Sequence, residues 1–130
     1  GRAEVPPLAD ELKQVQHTLF IVQAELAGAE KRVSAAKVKA LEARIDGIET
    51  ELPPIKSFFV PGASPAGAWL DYARTVARRA ERRVVAAREA GVKMSDATMS
   101  YLNRLSSLLY ALARLMNHQA GVAEEPPTYA

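Results

Sequence analysis

Five arginines fall within ten residues, at Arg74, Arg78, Arg79, Arg82 and Arg83. Guanidinium groups at that density can hold a polyanion or a set of carboxylates. With Arg74 at zero on a helical wheel, Arg78 lies at about 40°, Arg82 at about 80° and Glu81 at about −20°. These four make one polar strip, while Arg79 and Arg83 lie at about 140° and 180°, where solvent is expected. Like charges one turn apart repel, so the strip needs compensation. Glu81 can offset one positive charge. The rest must meet carboxylates of another subunit or a polyanionic ligand, and a planar fork grips either at two points. The other reading is a solvated face with internal Glu–Arg pairs, which is what most charge runs are.

Two further positions invite the same question. Asn103 sits in mid-helix opposite a leucine stripe, where an amide is a mediocre helix former. It is either aimed at a ligand or an ordinary surface residue. The segment Ile55–Pro65 (IKSFFVPGASP) puts Phe58, Phe59 and Val60 on a Pro/Gly-rich loop. Either a phenylalanine tucks back into the core, or a loop aromatic meets a flat apolar ligand. His17 and His118 have no metal-ligand spacing with each other or with a carboxylate pair. No Gly-rich phosphate loop, zinc-protease motif, Ser–His–Asp order or nucleic-acid module is present.

The elements that must position these residues read as helices throughout, because apolar residues recur at helical spacing and never alternate over a strand's length. The first helix follows Pro6-Pro7 and runs to about Ala27, with a heptad-like seam of Leu8, Leu12, Val15, Leu19, Val22 and Leu26. Phe20, Ile21 and Ala24 widen it. Gly28 suits a C-terminal stop. The second spans about Ser34 to Thr50, with Val38, Leu41, Ile45 and Ile48 inward, and Pro53-Pro54 end it. The third runs from about Ala66 to Ala90, with Trp69, Leu70, Ala73, Val76, Ala77, Ala80, Val84 and Ala87 on one arc. Ser95 or Asp96 caps the fourth, whose stripe is Tyr101, Leu105, Leu108, Leu112 and Leu115. It ends near His118. Four helices with short links predict an all-α helical bundle.

Composition bounds the rest. The chain has 130 residues, 48% hydrophobic and 25% charged, which fits one globular domain with one core. A net charge of +2 excludes a strongly cationic nucleic-acid tail. The absence of cysteine excludes disulfides, thiolate metal sites and a Cys nucleophile. No apolar run is long enough to span a membrane, and no secretory signal pattern is present. The expectation is a soluble, cytoplasmic protein without nucleic-acid or membrane partners. Gly1 is not an initiator residue, so the natural chain is expected to begin upstream.

Three segments together carry a specific resemblance. They are Phe58-Phe59-Val60-Pro61-Gly62-Ala63-Ser64-Pro65, Ala73-Arg74-Thr75-Val76-Ala77-Arg78-Arg79-Ala80-Glu81-Arg82, and Tyr101-Leu102-Asn103-Arg104-Leu105-Ser106. In this order and spacing they resemble the ATP:cob(I)alamin adenosyltransferases of the propanediol-utilisation (PduO) type. Leu12, Gln16, Leu19-Phe20 and Glu25-Leu26 also fit that family's second helix, so the resemblance covers nearly the whole chain.

The resemblance implies a four-to-five-helix bundle in a ferritin-like up-down arrangement, assembled as a homotrimer with each site at a subunit interface. It implies transfer of the 5′-deoxyadenosyl group of ATP to Co(I) of a corrinoid, releasing triphosphate. ATP, Mg²⁺ and cobalamin are the implied ligands, and a reductase is the implied electron donor. By the same resemblance, Arg78 contacts the phosphates and Arg74 makes an intersubunit salt bridge. Glu81, Arg82 and Asn103 line the nucleotide pocket, and Phe58 fills the lower axial side of the cobalt. Because Co(I) is itself the nucleophile, no side chain need be one. Alternatives are a non-catalytic ATP- or corrinoid-binding bundle and a structural or nucleic-acid-binding bundle. Some features depart from the family. Its Gly-Asp-x-Gly-x-Thr phosphate-cradling segment, a downstream Lys and an acidic partner for Arg74 are not in this sequence. The expectation is one domain over residues 1–130 that lacks the N-terminal ATP-binding segment. Asp71, Ser107 and Ala63 stand where the family often has His, Asp and Gly.

Overall fold

Serine hydroxyls open three of the four helices. In the computed structural model, which describes residues 7–52 and 64–120, Ser34, Ser64 and Ser95 accept hydrogen bonds from the N–H groups of Lys37, Gly67 and Thr98 at 3.2, 3.1 and 3.2 Å. Each satisfies an amide that the helix itself leaves without a partner. The helices are α1 (Leu8–Leu26), α2 (Ala35–Thr50), α3 (Pro65–Glu89) and α4 (Asp96–Gln119), close to the bounds read from sequence. Pro65 stands first in α3, where its missing N–H costs nothing. Gly28 and Gly91 end α1 and α3 at φ +92° and +107°, a region other residues enter at a penalty. At each, the following amide reaches back to close the last turn: Ala29 to the Ala24 carbonyl and Val92 to the Ala87 carbonyl, both 3.0 Å. Among the described residues there are no strands, and no helix is long and apolar enough to cross a membrane.

The core is built around α4, which packs on α3 and on α2. Its predicted stripe of Tyr101, Leu105, Leu108, Leu112 and Leu115 is buried, as are Leu102 and Leu109 beside it. Leu41, Ile45 and Ile48 of α2 are also buried, as expected.

Two predicted faces are corrected. On α1 the inward lane is Glu11, Val15, Thr18, Val22 and Glu25. Leu8, Leu12 and Leu19 are only half-buried, and Leu26 is exposed. The helix is rotated by about one position from the leucine seam, because both glutamates find partners inside. On α3, Leu70 and Val84 are buried and Ala73 and Ala77 are partly covered, but Trp69 is 74% exposed, and Val76 and Ala80 are also exposed. The α4 leucine face covers a lane narrower than the arc read from the wheel. Phe58 and its loop lie outside the described residues.

Polar staples fix the helix ends. Glu11, fully buried, pairs with Arg44 Nε at 2.6 Å, joining α1 to α2. Glu25 accepts from the Ser95 N–H at 2.5 Å and from the Thr98 hydroxyl, tying the end of α1 to the start of α4. Burial pushes the Glu25 carboxyl up. The hydrogen bonds from Thr98 and Ser95, with Arg32 nearby, outweigh it and hold the group below its ordinary 4.5. A carboxyl lowered on folding contributes stability above its unfolded value and loses it as pH falls through the folded value. Glu25→Gln should therefore cost about 1–3 kcal/mol at neutral pH and flatten the loss of stability below about pH 4.5, measured by urea unfolding across pH. Gly67 is equally constrained: a Cβ there would lie 2.3 Å from Asn117 Oδ1. Gly67→Ala should destabilise by about 1–3 kcal/mol in the same assay.

Candidate functional site

The face bearing the arginine strip is set by how α3 lies on α4. Ser64, the cap of α3, donates to Asn117 Oδ1 at 2.5 Å, beside Gly67. Arg74 places its guanidinium carbon 4.9 Å from the centre of the Tyr110 ring. Asn103 Nδ2 donates to Glu81 Oε2 at 2.9 Å. Arg88 pairs with Asp96 at 2.5 Å. Gly67, Arg74, Glu81 and Arg88 step by seven residues up α3, as Asn117, Tyr110, Asn103 and Asp96 step by seven down α4. The two helices are therefore antiparallel, with a rung every second turn. A seven-residue repeat of this kind keeps one seam facing its partner.

The outcome for each predicted residue follows from that seam. Arg74 is half-buried, its flat face on Tyr110, a contact that orients a cation without neutralising it. Glu81 is half-buried and engages the Asn103 amide instead of an arginine. Arg78 and Arg82 are exposed, and among the described residues neither has an ion pair. Arg79 and Arg83 are exposed, as the wheel predicts. The structure thus brings Arg74, Arg78, Glu81 and Arg82 of α3 and Asn103 of α4 to one flank of the seam. Of the solvated, internally paired face that the sequence left open, the exposure of Arg78, Arg79, Arg82 and Arg83 is seen, but among the described residues no pairing of Glu81 with an arginine is. Phe58 lies outside them; the described residues nearest its segment, Leu52 and Ser64, are buried.

Chemically, the flank is a row of guanidinium forks next to an amide–carboxylate pair. It can take a chain of anionic oxygens along its length and hydrogen-bond a neutral polar group at Glu81 and Asn103. It is an exposed helix surface, and two cavities, of about 570 and 480 Å³, lie elsewhere among the described residues. Among the described residues no group of three or more His, Cys, Asp or Glu could hold a metal ion. Sequence reasoning missed the buried carboxylates Glu11 and Glu25 and the Arg44 that answers the first. The available signal was their place in line with Val15, Thr18 and Val22, where a carboxylate is tolerated only with a partner.

The family model of cobalamin adenosyltransferases matches residues 2–116, and the chain belongs to that family. It is 41% identical over 125 residues to the corrinoid adenosyltransferase PduO of Citrobacter freundii, covering 91% of this chain and 37% of that protein. It is 38% identical over 128 residues to the corrinoid adenosyltransferase of Bacillus subtilis, covering 95% and 66%. The chain thus spans less than two thirds of the length of either relative. A phenylalanine-to-alanine variant of the PduO-type ATP:corrinoid adenosyltransferase from Lactobacillus reuteri, complexed with cobalamin and ATP, matches with a TM-score of 0.86 at 26% identity. The match covers 94% of this chain and 71% of that one. An arginine-to-lysine variant from the same organism, complexed with ATP, matches at 0.84 and 26%, covering 93% and 71%.

If the strip serves a ligand rather than the fold, its exposed members carry no structural load. Arg78→Ala and Arg82→Ala should each change unfolding free energy by less than about 0.5 kcal/mol, read from denaturant midpoints at constant slope.

Proposed function

We propose that this chain forms the helical body of an ATP:corrinoid adenosyltransferase. Such an enzyme moves the 5′-deoxyadenosyl group of ATP onto Co(I) of a corrinoid, with triphosphate as the leaving group. The observation that carries this reading is the row of arginines that have no ion pair among the described residues, beside the Glu81–Asn103 rung, on the motifs the family shares. In the Lactobacillus reuteri enzyme, the phenylalanine and the arginine replaced in the two variants stand as far apart in sequence as Phe58 and Arg78 do here. That separation supports giving these two residues the corresponding places.

The reaction makes specific demands on such a site. Co(I) supplies an electron pair to the 5′ carbon, the carbon–oxygen bond breaks, and its electrons leave on triphosphate. Negative charge grows on the departing oxygens, so cations placed there act mainly in the transition state. Arg78 is the residue for that contact, with Arg82 a turn further along. Glu81 and Asn103 hold the nucleoside end. Mg²⁺ arrives as part of the substrate Mg-ATP, carried on phosphate oxygens, in keeping with its habit of using few protein ligands. Phe58 presents an apolar wall to the lower face of cobalt. Replacing a donor atom there favours the lower oxidation state that attacks.

The open strip needs a second wall to become a pocket. We take that wall to be another copy of the chain in a homotrimer of up-down, ferritin-like subunits, with Arg74 meeting a carboxylate of its neighbour. Exposed Trp69, Tyr72 and Val76, on the flank of α3 opposite the strip, offer apolar surface for a contact between subunits. A reductase would supply the electron to cobalt, in the cytoplasm. The phosphate-cradling segment implied by the resemblance is not among these residues, so the test uses a chain covering the relatives' full length.

Given Mg-ATP and cob(II)alamin, that protein should produce the absorbance of a four-coordinate cobalt species. With a strong reductant it should produce adenosylcobalamin and triphosphate in equal amounts. Binding of both ligands without triphosphate release would mean a non-catalytic bundle, and no binding would end the proposal. Arg78→Ala should lower kcat/KM about ten- to a hundredfold, as expected for one charged hydrogen bond. Phe58→Ala should cut turnover with ATP affinity retained.

A further inference from the structure

Away from the arginine strip, between α1 and α2, lies a cavity of about 480 Å³ that the proposed reaction does not use. Gln14, His17 and Thr18 line it from α1, Lys37 and Arg44 from α2, and Tyr101 closes it from α4. No carboxylate is among its lining residues.

Three observations mark it as more than a gap. Tyr101 is 1% exposed, yet its hydroxyl has no hydrogen-bond partner of good geometry. Buried hydroxyls are rarely left so, because the loss costs about 1–3 kcal/mol. Arg44 meets Glu11 through its Nε. No hydrogen bond or ion pair engages its terminal nitrogens among the described residues. The first turn of α2, capped only through the Lys37 amide, also borders the cavity and adds the positive end of a 16-residue helix. Burial, the largest influence on Tyr101, and the nearby Glu11 carboxylate push its hydroxyl above the ordinary 10.0, against the pull of the Thr18 hydroxyl and of Arg44. The group is therefore a neutral O–H donor at physiological pH.

We infer that this cavity is a second anion site, which takes a small oxyanion of the phosphate or carboxylate class between Lys37, Arg44 and the Tyr101 hydroxyl. It is separate from the α3 strip, and neither site depends on the other. Its occupant joins α1, α2 and α4 at a place where the chain's own groups leave donors unmatched. Occupancy therefore stabilises the fold.

The test is calorimetric titration of the full chain, without nucleotide, with inorganic phosphate and with acetate at constant ionic strength and pH. Thermal unfolding is followed under the same conditions. Saturable binding and a raised Tm are expected with at least one of the two anions, and the anion that binds identifies the class. Lys37→Ala and Tyr101→Phe should each weaken it about tenfold or more, while Arg83→Ala, at an exposed position away from both sites, leaves it unchanged. Lys37 is exposed, so its variant decides the matter if Tyr101→Phe does not fold. Neither anion giving more than chloride gives would overturn the inference. So would binding untouched by Lys37→Ala, or binding abolished by Arg83→Ala.

Discussion

The seven-residue register of α3 against α4 is the constraint on which the rest depends. Four rungs hold it: Ser64 and Gly67 at Asn117, Arg74 at Tyr110, Glu81 at Asn103 and Arg88 at Asp96. Sliding α3 by one residue would break all four and turn Leu70 and Val84 away from the α4 leucines. Because the rungs fall every second turn, Arg78 sits midway between two of them, and Arg82 follows one turn on. Their forks are left exposed by that geometry, and the two neighbouring rungs keep the helix beneath them from shifting. A site that must place a leaving group relative to a reacting carbon gains from a rigid base of this kind.

Charge is used in two opposite ways in this molecule. On α1, Glu11 and Glu25 are taken out of water, the first paired with Arg44 and the second hydrogen-bonded at the start of α4. Those charges fasten helices, and removing either partner would strand the other. On the α3 flank Arg78 and Arg82 stay exposed, without an ion pair among the described residues. Self-repulsion there is a standing cost that a polyanion relieves. The contrast separates structural from ligand-facing ions better than the number of charges does.

Much of the fold was legible because local rules sufficed. Ser95 as a cap, Gly28 as a stop and the leucine stripe of α4 each speak for themselves, while the Ser64 cap of α3 was not read. What failed was rotation. Leu12, Leu19 and Leu26 suggested one inward face for α1, but the partners waiting for Glu11 and Glu25 turned the helix by about one position. Trp69 and Val76 share a wheel arc with Leu70, yet how much of that arc α4 covers is a property of two helices together. For the site, spacing placed Arg74, Arg78 and Arg82 on one strip. It could not say that Glu81 would choose Asn103 over an arginine, since that choice belongs to the seam.

The central claim is that Arg78 reads the polyphosphate and not the nucleoside. The most direct measurement compares the affinities of Mg-ATP and adenosine for the full-length protein and its Arg78→Ala variant. The account predicts that the variant binds adenosine as before and Mg-ATP about tenfold or more weaker, so that the advantage of the phosphate tail shrinks. Equal weakening of both ligands, or of neither, would contradict it.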